Sequence, residues 1–433
     1  MAQWNKSSQD YLNQERTLFE VYMRADKYGN VYDDLGQGFS GDLFGRLKVS
    51  NPYTLFDDTH RYANDGQFSD VVIGTGSTIG IVTAQSTAFL GIGTTAGCSI
   101  IRESKRVFSY QPGKSLQVLQ TFVLNPAKSN LVQRVGYGSS ENGIFLELNN
   151  FQTNIVKRTS ISGVTTTVSI PQNQWNFDTL DGTGPSTSNP SGLNLDLTKA
   201  QILFTEYEWL GVGCVRVGFA NSNGKFHIAH IFNHANILDS VYITTATLPV
   251  RYEILNTADV GTASTMKQIC VSVQSNGGYE KKVIETIAKR GAAITGIGQS
   301  YFPIVSIKLA PGREDAIVIP SQFTALPLSN NINYEIVLIK NATLVGAAFS
   351  VSDSNNVHYD TSASGLSGGK VVNIKYITGS NQSGGAISVD QQYNWDMQLG
   401  RTQSKVSDIY TLAARTISGS GDVIGSLSFY DLT

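Results

Sequence analysis

The chain has 433 residues, long enough for two or three domains of ordinary size. Charged residues make up 15% of it and apolar ones 41%, with a formal net charge of −2. That is enough apolar mass for packed cores and too little basic charge to coat phosphates, so disorder and nucleic-acid binding are set aside.

No stretch reaches the ~18 apolar residues of a membrane span, and the polar opening lacks the apolar centre of a signal peptide. No membrane partner is expected. Cys98, Cys214 and Cys270 form an odd, scattered set without a CxxC pair. Such a set argues against a disulfide framework and for assembly in a reducing cytoplasm.

Residues 1–99 read as an extended N-terminal arm with an irregular β region. Phe19 and Tyr22 sit where strand and helix periodicities both fit. Trp4, Tyr11, Tyr53 and Phe56 belong to a weakly patterned, aromatic-dotted text. Aromatic side chains carry large apolar area, so these six are the candidate assembly contacts of an arm lying on its own fold or on a neighbour.

From 100 to 275 the alternation is that of a β-sandwich. Strands are expected at 115–124, 143–148, 155–160, 164–170, 250–255 and 266–273. The clearest hairpin runs through 201–232, where Asn221-Ser222-Asn223-Gly224 supplies residues that tolerate positive φ. Residues 276–300 read as a linker in which 280–290 fits either a short helix, with Val283, Ile284 and Ile287 on one stripe, or a strand. A second sandwich follows over 301–433, with prolines at strand entries and a helical turn at 412–415. The fold class is all-β: tandem β-sandwich, jelly-roll-like domains.

Few residues carry chemistry. His227, His230 and His234 would share a face on a helix and could then hold zinc, but the alternation there is that of a strand. On a regular strand His227 and His230 point to opposite faces. Glu206 and Glu208 share a strand face about 7 Å apart, the spacing used by inverting glycosidases. Cross-strand pairing with Arg216, Arg134 or Arg251 is the competing reading. Gly74-Thr75-Gly76 and Gly91-Ile92-Gly93 lack the rest of a phosphate loop. Asp178 and Asp181 read as turn residues rather than calcium ligands. Gly365-Leu366-Ser367-Gly368-Gly369 has the letters of a nucleophile elbow without its strand-turn-helix context. Trp175, Tyr393 and Trp395 are loop-like candidates for stacking on a glycan. No catalytic residue, metal or cofactor is assigned, and the chain is expected not to be an enzyme.

Several stretches carry a resemblance: 102–116, opening Arg102-Glu103-Ser104-Lys105-Arg106, the run Arg134-Val135-Gly136-Tyr137 with 142–147 after it, 195–203 with Glu208-Trp209-Leu210-Gly211-Val212-Gly213, then 232–236 and 248–254. This text resembles virion structural proteins of tailed phages of the marine cyanophage type, most densely over 100–275. The resemblance implies a structural component of a bacteriophage virion, assembled in the host bacterial cytoplasm, whose partners are copies of itself and other virion proteins. An adhesin of a tail or head fibre that binds a host surface glycan is the alternative.

Overall fold

A computed structural model describes residues 24–25, 31–32, 52–64, 66–280, 284–379, 387–390 and 395–433. The first described elements are the two-residue strands Arg24–Ala25 (β1) and Val31–Tyr32 (β2), which pair with each other. No α-helix occurs among the described residues, so none is long and apolar enough to cross a membrane. The all-β expectation holds.

The chain divides into two compact units. The first comprises Met1–Glu103 and Tyr110–Tyr279, the second Ser104–Ser109 and Glu280–Thr433. Residues 53–92, within the arm and irregular β region of the sequence reading, supply strands of the first sandwich, and the stretch read as a linker supplies strands of the second.

Fifteen strands build the first unit's sandwich: Tyr53–Thr59 (β3), Phe68–Ile73 (β4), Thr78–Val82 (β5), Thr87–Ile92 (β6), Ser99–Ser104 (β7), Ser115–Val123 (β8), Leu131–Gly138 (β9), Gly143–Asn149 (β10), Gln152–Thr159 (β11), Thr166–Pro171 (β12), Gln201–Tyr207 (β13), Val215–Ala220 (β14), Phe226–Phe232 (β15), Val250–Asn256 (β16) and Ser264–Asn276 (β17). One sheet has the order β12-β11-β10-β9-β16-β7-β4, and the other β15-β14-β13-β8-β17-β6-β5, with β3 also on β17.

Alternation decides which side chains meet between the sheets. Tyr137 of β9 and Tyr207 of β13 touch edge to face at 5.1 Å, and Phe56 of β3 meets Phe68 of β4 at 6.1 Å. Arg102 is fully buried there. Its guanidinium takes both Asp70 oxygens at 2.7 Å and reaches across to Gln268 Oε1 at 2.6 Å. The expected hairpin is present too: Asn221 N–H donates to Lys225 O at 2.8 Å, and Gly224 supplies φ of +75°.

The second unit contains Ile284–Lys289 (β18), Ile294–Ile297 (β19), Phe302–Leu309 (β20), Val318–Pro327 (β21), Asn333–Lys340 (β22), Thr343–Val345 (β23), Ser350–Val351 (β24), Val357–Asp360 (β25), Gly365–Ser367 (β26), Lys370–Thr378 (β27), Ile387–Asp390 (β28), Ile409–Thr416 (β29) and Gly421–Asp431 (β30). One sheet runs β18-β30-β21-β28 with β19 on β30, the other β24-β25-β20-β29-β22-β27. Ile304, Val318, Phe323, Ile336, Leu412, Leu427 and Phe429 belong to its buried core. The 280–290 ambiguity resolves as strand, because β18 bonds along β30. The turn expected at 412–415 is the middle of β29. The elbow-like run is the short strand β26, paired with β23.

Candidate functional site

The acidic pair singled out by spacing lies at the end of β13. Leu203, Thr205 and Tyr207 face the sandwich core, which turns Phe204 and Glu206 to the sheet's other side. Glu206 stands opposite Arg216 in the register and is fully buried. Arg216 Nη1 lies 3.4 Å from its Oε2, and Ser115 Oγ donates to its Oε1 at 3.1 Å. Glu208 follows one residue past the strand, also buried, and accepts the Tyr110 hydroxyl at 2.6 Å. Burial and the adjacent Glu208 carboxylate both push the Tyr110 phenol well above its ordinary range, so it stays a donor. Tyr110 also meets Trp209 edge to face at 6.1 Å. The cross-strand reading with Arg216 is therefore realised, and each carboxylate has its own donors rather than a shared open space.

Arg134 and Arg251, the other partners considered for Glu206, belong to a second cluster that sequence reasoning missed. It runs across β7, β16, β9, β10 and β11, on the face opposite the core-facing Tyr137. The register sets Glu103 against Arg251, Glu253 against Arg134, Arg134 against Glu147, and Glu147 against Asn154. Arg134 reaches Glu147 at 2.7 Å and Glu253 at 2.8 Å, and Arg251 bridges Glu253 and Glu103. Arg158 lies 3.8 Å from Glu253 and over the Phe145 ring at 4.7 Å.

Only Arg134 keeps a fifth of its side chain accessible. Burial by itself would raise the Glu253 carboxyl, but the guanidiniums of Arg251, Arg134 and Arg158 outweigh it and hold the carboxyl at about 2. Burial lowers Arg134, yet Glu253 and Glu147 more than offset this and raise it. Gly136 makes room beside the row: a Cβ there would stand 2.2 Å from Ile144 O and 2.7 Å from Phe145 Cα. Arg251 and Glu253 alternate along β16, while Arg134 and Glu147 are the single charged residues of β9 and β10. That recurring parity was the only available signal, since the five strands are scattered between residues 99 and 256.

The histidines follow neither sequence reading fully. They lie on or just past strand β15, but its pairing with β14 shifts between Val217 and Gly218. The extra residue, Ala229, resets the alternation, so His227 opposite Phe219 and His230 opposite Val217 share the core-facing side. Their polar atoms go to separate partners: His227 Nε2 contacts Asn221 Nδ2 at 3.0 Å, and His230 Nδ1 accepts Asn176 N–H at 3.3 Å. His234 Nδ1 donates to Gly213 O at 2.7 Å, and its ring stacks on Tyr242 at 3.9 Å. Burial lowers His230 and His234 to about 4. Among the described residues no three His, Cys, Asp or Glu side chains gather as a metal site.

The aromatic candidates separate by burial. Phe56 is buried in its own sandwich, which removes it as a contact in trans. Tyr53 stacks on Tyr279 at 5.5 Å. Trp175 is 4% exposed, donates Nε1–H to Ile170 O at 3.2 Å and stacks on Phe219 at 6.4 Å. Trp395 is 8% exposed. Neither indole presents a face for a sugar, because both are buried. Trp4, Tyr11, Phe19, Tyr22 and Tyr393 lie outside the described residues. Asp178 and Asp181 close their loop by accepting N–H groups of Leu180, Ser191 and Thr183, as expected of turn residues.

No protein-family model matches the chain, and no curated protein is similar to it in sequence. Solved structures are similar in fold at low identity. A β-glucanase from Bacillus licheniformis is 8% identical at a TM-score of 0.32, with 52% of this chain and 98% of that one covered. A β-1,3-glucanase from Mycobacterium marinum is 10% identical at 0.35, with 52% and 99% covered. A glycoside hydrolase family 16 endo-glucanase from Bacteroides ovatus, in complex with G4G3G-2F-DNP, is 10% identical at 0.34, with 51% and 99% covered. The expected lack of enzymatic activity does not stand against these glucanases. At such scores their substrates and catalytic residues are not transferred to this chain.

Proposed function

We propose that this chain is a structural component of a bacteriophage virion that works by assembly through the surfaces of its β-sandwich units. The observation that carries the reading is the placement of exposed apolar side chains at open sheet edges. In the first unit the β11–β12 hairpin ends one sheet, and Ile161, Val164 and Val168 are 45%, 67% and 46% exposed there. In the second unit β27 ends a sheet with three more. Unpaired strand edges with apolar side chains are templates for pairing with another chain, which monomeric proteins usually blunt. The three free cysteines accord with assembly in a bacterial cytoplasm, and the phage-like text over 100–275 supplies the particle.

The test is to purify particles of a phage encoding this chain, identify their proteins by mass spectrometry, and label intact particles with an antibody and gold. The expected result is stoichiometric incorporation at one fixed position. Absence from purified particles would overturn the reading.

One feature favours the alternative, a glycan-binding adhesin. A cleft of about 330 Å³ in the first unit combines the amides of Asn194, Gln201 and Asn221 with apolar walls from Leu180, Leu193 and Phe219. Convergent amides over apolar surface suit a sugar ring. On this reading, a glycan array would show sugar-specific binding that Asn194→Ala with Gln201→Ala abolishes; binding unchanged by the pair would remove the cleft from consideration.

A further inference from the structure

One lysine of the first unit lies among rings instead of carboxylates. One sheet of that unit ends in β11 and β12, the other in β15. Lys157 of β11 stands opposite Ile144, which stands opposite the core-facing Tyr137, so its side chain points between the sheets. Its other neighbour in the register is the exposed Val168 of β12. Nζ lies 3.2 Å from His234 Nε2 and 5.5 Å from the centre of the Phe232 ring. Among the described residues Lys157 forms no ion pair. Burial lowers its amine below the ordinary lysine value, with no carboxylate to oppose the shift. The surroundings of His234 decide which of its ring nitrogens meets the amine. Gly213 O can only accept, so Nδ1 carries the ring proton and Nε2 turns its lone pair toward Lys157. The imidazole is buried and lies flat on Tyr242 at 3.9 Å, with the two planes 3° apart, which holds that orientation. One N–H of Lys157 is thereby engaged by Nε2. The lone pair of the neutral amine is left for the partly exposed gap beside Val168.

We propose that Lys157 is a site of imine formation with small apolar aldehydes, with His234 aiming the amine and relaying its protons. The amine nitrogen attacks the carbonyl carbon, and the proton it sheds passes through His234 Nε2 to the former carbonyl oxygen. The second N–H proton takes the same route, that oxygen leaves as water, and the C=N bond closes. Amine and aldehyde become imine and water, with no oxidant or reductant required. An aldehyde suits the place because this reaction needs a neutral amine and a proton relay, both present, and no leaving group. Val168 and the Phe232 ring make the approach apolar, which favours an apolar aldehyde over a charged one. The inference rests on these side chains and requires neither the virion reading nor the amide-lined cleft.

The experiment exposes the full chain to limiting benzaldehyde with cyanoborohydride, which reduces an imine to a stable secondary amine, and reads each lysine by peptide mass spectrometry. Near neutral pH, labelling at Lys157 should run about tenfold faster or more than at the exposed Lys199 and Lys225, because each unit by which a lysine value falls supplies about tenfold more neutral amine. Its rate should also level off at a lower pH than theirs. His234→Phe keeps a ring against Tyr242 and removes Nε2, and should lower the plateau rate at Lys157 roughly tenfold. Circular dichroism checks that the variant is folded. Labelling at Lys157 no faster than at Lys199 and Lys225, or a plateau rate unchanged in the folded His234→Phe chain, overturns the inference. Should the variant not fold, the pH profile of the unaltered chain decides, and a plateau at the same pH as the exposed lysines overturns it.

Discussion

Glu253→Gln tests whether the ionic row holds the first sandwich together. Glu253 sits between three guanidiniums and is 4% exposed. Its carboxyl is held at about 2 against an ordinary 4.5. At about 1.4 kcal/mol per pKa unit, that difference corresponds to about 3 kcal/mol of stability from the ionised form. The sign follows from the depressed folded value. The contribution is complete above 4.5, falls as the pH drops through the interval from 4.5 to 2, and is gone below it. The variant should therefore be about 3 kcal/mol less stable than the parent at pH 7 and should converge with it near pH 2. Because the chain has two units, a single melting curve would mix them. Hydrogen exchange followed on peptides from β9, β10 and β16 reads the right region. A gap that persists unchanged at low pH, or no gap at neutral pH, would refute the electrostatic account of the row.

Other substitutions probe neighbouring features. Gly136→Ala forces a Cβ to within 2.2 Å of Ile144 O and should lower stability by about 3 kcal/mol in thermal or urea unfolding, the upper part of the overpacking range. Arg102→Met strands Asp70 and should destabilise by roughly 3–5 kcal/mol, while adding Asp70→Asn should recover part of the loss. His230 and His234 have folded values lowered from 6.5 to about 4, so their neutral forms stabilise the fold above pH 6.5. That contribution should fade between pH 6.5 and 4, and unfolding midpoints of the His230→Gln chain should depend less on pH across this window.

The strands most legible in the sequence are those whose two faces carry different residue types, even where, as in Gly143–Asn149 and Val250–Asn256, both faces are buried. The hairpin through Asn221–Gly224 and the strands around 115, 143, 155 and 250 alternate because one side meets the opposite sheet and the other meets different surroundings. Strand β29 failed to read as a strand for the opposite reason. Leu412 and Ala414 face the main core of the second unit while Ala413 faces the smaller cluster on the far side, so three consecutive residues are fully buried. A strand covered on both faces loses its period and looks like any apolar run. Residues 53–92 were missed because short strands such as Thr78–Val82 are broken by glycine, whose reason is tertiary: at Gly80 a Cβ would meet the Phe89 ring at 2.6 Å. The histidine faces were misread by one residue, since nothing local marks Ala229 as the extra member of a bulge.

The candidate sites were legible only where partners lie close in sequence. Glu206 and Arg216 stand ten residues apart across one hairpin, and that pairing could be read from spacing. The row from Glu103 to Glu147 depends on which strands become neighbours: β16 inserts between β7 and β9, and no local pattern announces that insertion. The same topology bears on how the surface behaves. A chain with only 15% charged residues buries Arg102, Glu103, Glu147, Glu206, Arg251 and Glu253 in its first unit. Those charges are satisfied internally and add little to the repulsion between copies.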